Sequence, residues 1–81
     1  MISVQPIEEL KEYDLIQSYK RKGDIYRRAL TFWIYEGRLG TVEISKSDNG
    51  SWCVTIMNGA RYVYAGWSKE KAIAEAKKWL I

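Results

Sequence analysis

The side chains that most often perform acid–base, nucleophilic or metal chemistry are nearly absent from this sequence. Its 81 residues contain no histidine and a single cysteine, Cys53. Zinc sites built from cysteine and histidine, and Ser-His or Cys-His nucleophilic systems, are therefore excluded. Gly37 and Gly40 in the stretch EGRLG are too few, and lack a following helix, to form a phosphate-binding loop. We therefore expect a protein that is not an enzyme, with no catalytic residue, no metal site and no cofactor.

Basic side chains are concentrated in one short stretch. Residues 20–28, KRKGDIYRR, contain five basic groups and one aspartate, whereas the whole chain has a net charge of +3. Such a stretch attracts polyanions locally. Two explanations remain open: a solvated charged turn, or contact with nucleic-acid phosphates, which adds salt-dependent affinity. The candidates for phosphate contact are Lys20, Arg21, Lys22, Arg27 and Arg28.

Three further candidates for phosphate contact lie near the C-terminus, in a segment that the sequence predicts to be helical. Lys71 and Lys78 are seven residues apart and so lie on one line along a helix, and Lys69 falls in the first turn. The helix dipole disfavours a cation in the first turn unless an anion is near. A solvated helix face remains the alternative explanation for all three lysines.

Aromatic residues are the other candidates for binding, at 14% of the chain. If the strands alternate as their apolar pattern indicates, Tyr62 and Tyr64 point outward, and Trp33 and Tyr35 share the face opposite Phe32. Such a face, edged by arginines, suits base stacking on single strands. It suits a protein partner equally well, and the same rings could instead form the core. The predicted aromatic binding face consists of Trp33, Tyr35, Tyr62 and Tyr64.

The C-terminal helix is the most clearly defined of the elements that must position these side chains. Ser68 is a favoured N-cap residue, because its hydroxyl can accept a hydrogen bond from a backbone N–H of the first turn. One face of the following segment is apolar at helical spacing. That face comprises Ala72, Ile73, Ala76, Trp79 and Leu80.

Between residues 29 and 67 the apolar pattern has a period of two, which is typical of strands. In TVEISKS, for example, Val42 and Ile44 share one face. Asn49-Gly50 and Asn58-Gly59 separate the candidate strands, and Asn-Gly is the strongest short signal for a hairpin. The pattern predicts three or four antiparallel strands in a meander.

The N-terminal third has two interpretations. Pro6 followed by two glutamates is a typical helix start, and Lys20-Arg21-Lys22 before Gly23 is a typical end. The favoured interpretation is one helix, although Leu15 falls outside its apolar stripe. The alternative is a helix over about residues 6 to 13 followed by an extended LIQSYKR segment, so that residues 14–28 are either helix or strand. We predict an α+β two-layer sandwich in a single domain, 1–81, with the antiparallel meander packed by an N-terminal and a C-terminal helix.

The predicted order of elements resembles the double-stranded RNA-binding domain, which is α-β-β-β-α. The residues that carry the resemblance are Pro6, Leu10, Glu12, Tyr13, Asn58-Gly59 and Gly66-Trp67-Ser68-Lys69. In that family the last helix contacts duplex RNA through a Lys-Lys-x-Ala-Lys run. Lys69 and Ala72 match this run, whereas Glu70 and Ile73 replace two of its lysines. The resemblance implies the fold and, through Lys69, contact with RNA.

We therefore expect a small binding protein that contacts nucleic acid, RNA or DNA, through the basic side chains and the aromatic face. The alternative is a protein-binding inhibitor or adaptor of the phage or mobile-element type, similar to anti-CRISPR proteins, that docks on a host protein complex. A homodimer is a further alternative. No apolar run of about 18 residues or signal peptide is evident, and a lone cysteine favours a reducing compartment. We expect a cytoplasmic protein without a membrane partner.

Overall fold

In a computed structural model that describes residues 4–23, 29–57 and 61–80, five antiparallel strands form one sheet and an α-helix covers one of its faces. The strands are β1 (Asp14–Arg21), β2 (Leu30–Gly37), β3 (Gly40–Ser47), β4 (Trp52–Ile56) and β5 (Arg61–Gly66), and the helix is α1 (Lys69–Leu80). Neighbouring strands in the chain are neighbours in the sheet, so β1 and β5 are its edges. The predicted α+β class, the meander and the C-terminal helix are confirmed, but the sheet has five strands rather than three or four.

The predicted N-terminal helix is wrong. Glu8–Leu10 form a single 3₁₀ turn, and the following segment is β1, close to the extended alternative. The whole of β1 pairs with β2, from Asp14 opposite Glu36 to Arg21 opposite Leu30, with an irregularity between Leu15 and Gln17. This ladder gives the backbone the hydrogen bonds that a helix would have made within itself. The basic residues Lys20 and Arg21 are therefore in a strand rather than at a helix end.

Strand pairing sorts the side chains onto two faces, because residues directly opposite each other project to the same side. The helix side contains two transverse rows of residues, one running from Ser18 through Trp33, Ile44 and Val54 to Tyr64, the other from Leu15 through Tyr35, Val42 and Ile56 to Arg61. The opposite side, which we call the open face, contains Tyr19, Phe32, Ser45, Cys53 and Ala65 in one row and Gln17, Ile34, Glu43, Thr55 and Tyr62 in the next.

The core lies between the sheet and α1. Ala72, Ile73, Ala76 and Leu80 are buried against the sheet, as the sequence predicts. The Ser68 cap is also confirmed, since its Oγ accepts a hydrogen bond from the N–H of Lys71 at 3.2 Å. The part of the chain that the structure describes contains no helix with the length and apolar character needed to cross a membrane.

The N-terminal segment covers the part of the core that lies over β1 and β2. The Trp33 Nε1–H donates to the carbonyl of Gln5 at 2.9 Å, and the N–H of Ile7 donates to the Tyr35 hydroxyl at 3.2 Å. Ile7 and Leu10 are buried in the same cluster as the residues of α1. The helix side is therefore closed by α1 together with this segment.

The hairpins follow the sequence signals only in part. Gly37 pairs with Gly40, so that Arg38 and Leu39 form a two-residue turn. Between β3 and β4, three residues make the turn and Gly50 has a φ of 97°, as in a type I turn followed by a left-handed residue. The second Asn-Gly pair, Asn58-Gly59, lies outside the described residues.

Candidate binding surface on the open face of the sheet

The predicted aromatic binding face is wrong as a single surface. Trp33 is 7% exposed and Tyr35 fully buried, both in the core on the helix side. Tyr64 is half-buried on the same side, where its hydroxyl accepts a hydrogen bond from the N–H of Ser68 at 3.1 Å. Tyr62, in contrast, lies on the open face and is 71% exposed. An irregularity in the pairing of β4 with β5 puts the two tyrosines on opposite faces.

A signal in the sequence could have oriented β2 correctly. The two-residue turn in EGRLG places Trp33 opposite Ile44 and Tyr35 opposite Val42. Val42 and Ile44 belong to the core by their own alternation, so the two aromatic residues must lie on the core side as well. The prediction failed because both faces of β2 are apolar, and alternation alone does not distinguish them.

Besides Tyr62, the described part of the open face contains two aromatic residues, one on β1 and one on β2. The rings of Tyr19 and Phe32 are stacked, with centroids 4.9 Å apart. The Arg21 guanidinium carbon is 5.9 Å from the centroid of Phe32, within the range of a cation–π contact. A cation and two aromatic rings thus form one patch, in which Phe32 is 9% exposed and Tyr19 is half-buried. Tyr19 was missed because its segment was interpreted as a helix, and Phe32 because β2 was assigned the wrong way round.

The part of the open face on β3, β4 and β5 is mostly polar and partly accessible to solvent. Ser45, Cys53 and Thr55 are half-buried, and Tyr62 is the most exposed large side chain on it. Glu43 is half-buried at its centre, and burial raises the pKa of its carboxyl above the ordinary value. The alternation of TVEISKS already predicted that Glu43 lies on the outer face. It did not predict which residues surround it.

Basic side chains gather at one end of the sheet. Lys20 and Lys46 lie on either side of Thr31 in neighbouring strands, in a row that reaches the core residue Trp52 and so projects to the helix side. Arg21 projects to the open face, and Lys22 follows it along the chain. We call Lys20, Arg21, Lys22 and Lys46 the basic end. The Lys20 Nζ is 3.8 Å from a carboxylate oxygen of Asp48. Lys46 is 5.7 Å from the ring of Trp52. It was missed because only strand pairing, and not its place in the sequence, brings it near residues 20–22. Arg27 and Arg28 lie outside the described residues.

The lysines of α1 are not on the open face, because α1 covers the other side of the sheet. Lys69 lies 3.5 Å from a carboxylate oxygen of Glu9, which supplies the anion that a cation in the first turn requires. Lys78 pairs with Glu75 at 2.9 Å, and Lys71 is exposed. Exposed pairs of this kind contribute about 0–1 kcal/mol each. Their arrangement is that of a solvated helix face.

Comparison of the chain with protein-family models, with curated proteins and with solved structures finds no match. The resemblance to the double-stranded RNA-binding domain therefore stays a prediction. What the surface can do is determined by its chemistry: the basic end attracts anions, the aromatic rings offer planar apolar contacts, and Glu43 accepts hydrogen bonds.

Proposed function

We propose that this chain is a small non-catalytic, cytoplasmic binding protein that contacts single-stranded nucleic acid through its open face and its basic end. The observation that carries the proposal is the patch in which Arg21 lies over Phe32 and Phe32 stacks on Tyr19. Phe32 is buried, so the half-buried Tyr19 is the ring of this patch that a base can contact, and it shares one surface with a phosphate-binding cation. Arg27 and Arg28, six and seven positions after Arg21, belong to the same basic stretch of the sequence.

The two kinds of contact have separate physical roles. Basic side chains hold phosphates and release counterions, which supplies affinity that falls as salt rises. Aromatic side chains stack on bases at about 1–3 kcal/mol per base and tolerate any sequence. Tyr62 is the side chain best placed for such stacking, because its ring is 71% exposed on the open face.

Single strands are favoured over duplexes because the surface is a sheet face with an exposed ring, that of Tyr62. Bases in a duplex are stacked on each other and cannot stack on protein side chains. The lysines of α1, the residues that a duplex-binding helix would use, form ion pairs with Glu9 and Glu75 in two of three cases. Both features direct the proposal away from duplex RNA.

Fluorescence anisotropy with labelled single-stranded DNA, single-stranded RNA and duplex RNA, repeated over a series of salt concentrations, tests the proposal. We expect the single strands to bind more tightly, with a slope of log K against log salt of about −0.7 per phosphate contacted. Absence of binding to every probe at low salt would rule the proposal out. Tighter binding to duplex RNA would instead favour the function implied by the family resemblance.

Two matched pairs of variants locate the surface. Arg21→Gln removes a cation beside the aromatic patch, whereas Lys77→Gln removes an exposed cation from α1. Only the first should weaken binding and flatten the salt dependence. Tyr62→Ala should weaken binding by about 1–3 kcal/mol, whereas Leu39→Ala, at an exposed apolar residue in the β2–β3 turn, should leave it unchanged. Equal effects within either pair would contradict the assignment of the surface.

A protein partner is the second candidate function, of the inhibitor or adaptor type that phages encode, as anti-CRISPR proteins are. The observation that favours it is the exposure of two large aromatic residues along one sheet edge: Tyr62 in β5 and Trp67 just after it are each 71% exposed. Tyr and Trp are enriched among residues that dominate binding energy. A stoichiometric partner from host lysate that survives nuclease treatment, and that Trp67→Ala releases, would support this function over the first.

A further inference from the structure

Glu43 occupies the centre of the open face. It lies in β3, the middle strand, between Ile34 of β2 and Thr55 of β4. Tyr62 lies in the same row on β5, two strands away, which is about 10 Å at the usual spacing of strands. A carboxylate and an exposed aromatic ring therefore share one row of the same surface.

Within residues 4–23, 29–57 and 61–80, the Glu43 carboxylate forms no ion pair. The acids that pair with lysines there are Glu8, Glu9, Asp48 and Glu75. Its partial burial is unfavourable for the charged form, and burial raises the pKa of the carboxyl accordingly. A half-buried carboxylate gains most when a ligand brings hydrogen-bond donors to it, because charge-assisted hydrogen bonds are the strong ones. Glu43 is therefore suited to recognise donors on whatever occupies the open face.

The chemistry of the bases identifies which donors fit. An ionised carboxylate only accepts hydrogen bonds and has two oxygens side by side. On its pairing edge, guanine presents two adjacent donors, N1–H and the N2 amino group. Adenine and cytosine each present one amino donor next to an acceptor nitrogen, which would face a carboxylate oxygen unfavourably. Thymine and uracil present one N–H between two carbonyl oxygens. Guanine alone matches the carboxylate at both positions.

We infer that Glu43 makes the open face selective for guanine in a single strand, with the base stacked on Tyr62 and its N1–H and N2 amino group donating to the Glu43 carboxylate. This inference rests on the proposed function and assigns a specificity to the same surface. The basic end, which includes Arg21, holds the phosphates at the end of the sheet, away from the carboxylate. Glu43 thus determines which base binds, whereas the cations determine how tightly the strand binds.

The inference is tested with short oligothymidine probes that differ only at one central position, which is guanine, adenine, cytosine or thymine. Anisotropy titrations should rank guanine first, by at least about fivefold, since a good bidentate contact discriminates by about 1–3 kcal/mol. Glu43→Gln should abolish this preference, because glutamine offers one donor and one acceptor and no longer matches the two adjacent donors of guanine. Tyr62→Ala should weaken binding of all four probes.

Glu36→Gln is the matched control, because Glu36 is an exposed residue of β2 opposite Thr41 of β3, at the other end of the sheet from Arg21. It removes the same charge and should leave the ranking of the bases unchanged. If no probe binds to the native chain, the proposed function itself fails. If all four probes bind equally, or if Glu43→Gln keeps the preference for guanine, the inference is wrong while the proposed function stands. If Glu43→Gln does not fold, equal binding of the four probes by the native chain still overturns the inference.

Discussion

The substitution Tyr35→Phe tests how the N-terminal segment is held on the sheet. Tyr35 is fully buried, and its hydroxyl accepts a hydrogen bond at 3.2 Å from the N–H of Ile7, which is itself 4% exposed. Phenylalanine preserves the ring and removes only this acceptor. A buried donor left without a partner costs about 1–3 kcal/mol. For a domain of this size, each kcal/mol lowers the melting temperature by about 4–8 °C.

Thermal and urea unfolding followed by circular dichroism provide the measurement, and Tyr62→Phe is the matched control. The Tyr62 ring is exposed on the open face, so the same chemical change should alter stability by less than about 0.5 kcal/mol. We expect Tyr35→Phe to lower the urea midpoint and Tyr62→Phe to leave it in place. If both variants unfold together with the native chain, the hydrogen bond from Ile7 does not anchor the segment and the reasoning is refuted.

Tyr35→Phe should also change how the stability of the chain depends on pH in the alkaline range. Burial raises the pKa of the Tyr35 hydroxyl above its ordinary value, although the hydrogen bond from Ile7 opposes the shift. The protonated hydroxyl is therefore favoured in the folded chain. This contribution to stability is fully present below the pKa of the unfolded state and is lost as the pH rises through the folded pKa. Between neutral and alkaline pH, the urea midpoint should therefore fall less for Tyr35→Phe than for the native chain.

Three further predictions concern the turns, the cap and the open face. Gly37→Ala should destabilise the chain by about 1–3 kcal/mol or more, since the new Cβ would lie 2.7 Å from a backbone oxygen of α1. At Gly50 a Cβ has open space, but the φ of 97° is unfavourable for alanine, so Gly50→Ala should cost about 1–2 kcal/mol. The urea midpoint should therefore fall further for Gly37→Ala than for Gly50→Ala. Ser68→Ala removes the acceptor for the Lys71 N–H and should cost about 1 kcal/mol in the same assay. Glu43 has a pKa raised by burial, so the stability it contributes is present at acid pH and lost as the pH rises through the folded pKa. Glu43→Gln should therefore gain stability relative to the native chain as the pH rises from acid to neutral. Parallel curves of urea midpoint against pH for the two chains would contradict this.

Part of the fold could be predicted because its signals are local. The Ser68 cap and the alanine stripe of α1 depend on residues within one or two turns of each other. The orientation of β3 follows from its own alternation, since Val42 and Ile44 are apolar and their neighbours are polar. The concentration of charge at residues 20–28 is likewise visible without a structure.

The N-terminal third could not be predicted in this way. Its helix signals are local, whereas the strand that forms there depends on pairing with residues distant in the sequence. Pro6 and the glutamates after it favour a helical turn, and a 3₁₀ turn does form there. Beyond it, the ladder of β1 with β2 pairs residues up to 22 positions apart in the chain, from Asp14 to Glu36. Local propensity is weak relative to such tertiary pairing.

The sequence by itself determined the α+β class, the C-terminal helix, the meander and the stretch of positive charge, because each is encoded by neighbours along the chain. Only the tertiary structure decided which aromatic residues are core and which are surface. Both faces of β2 are apolar, so its orientation depends on the register with β3, and one residue of slip would exchange the two faces. The register of β1 with β2 brings Tyr19, Phe32 and Arg21 into one patch, and the registers of β3 with β2 and β4 place Glu43 at the centre of the open face.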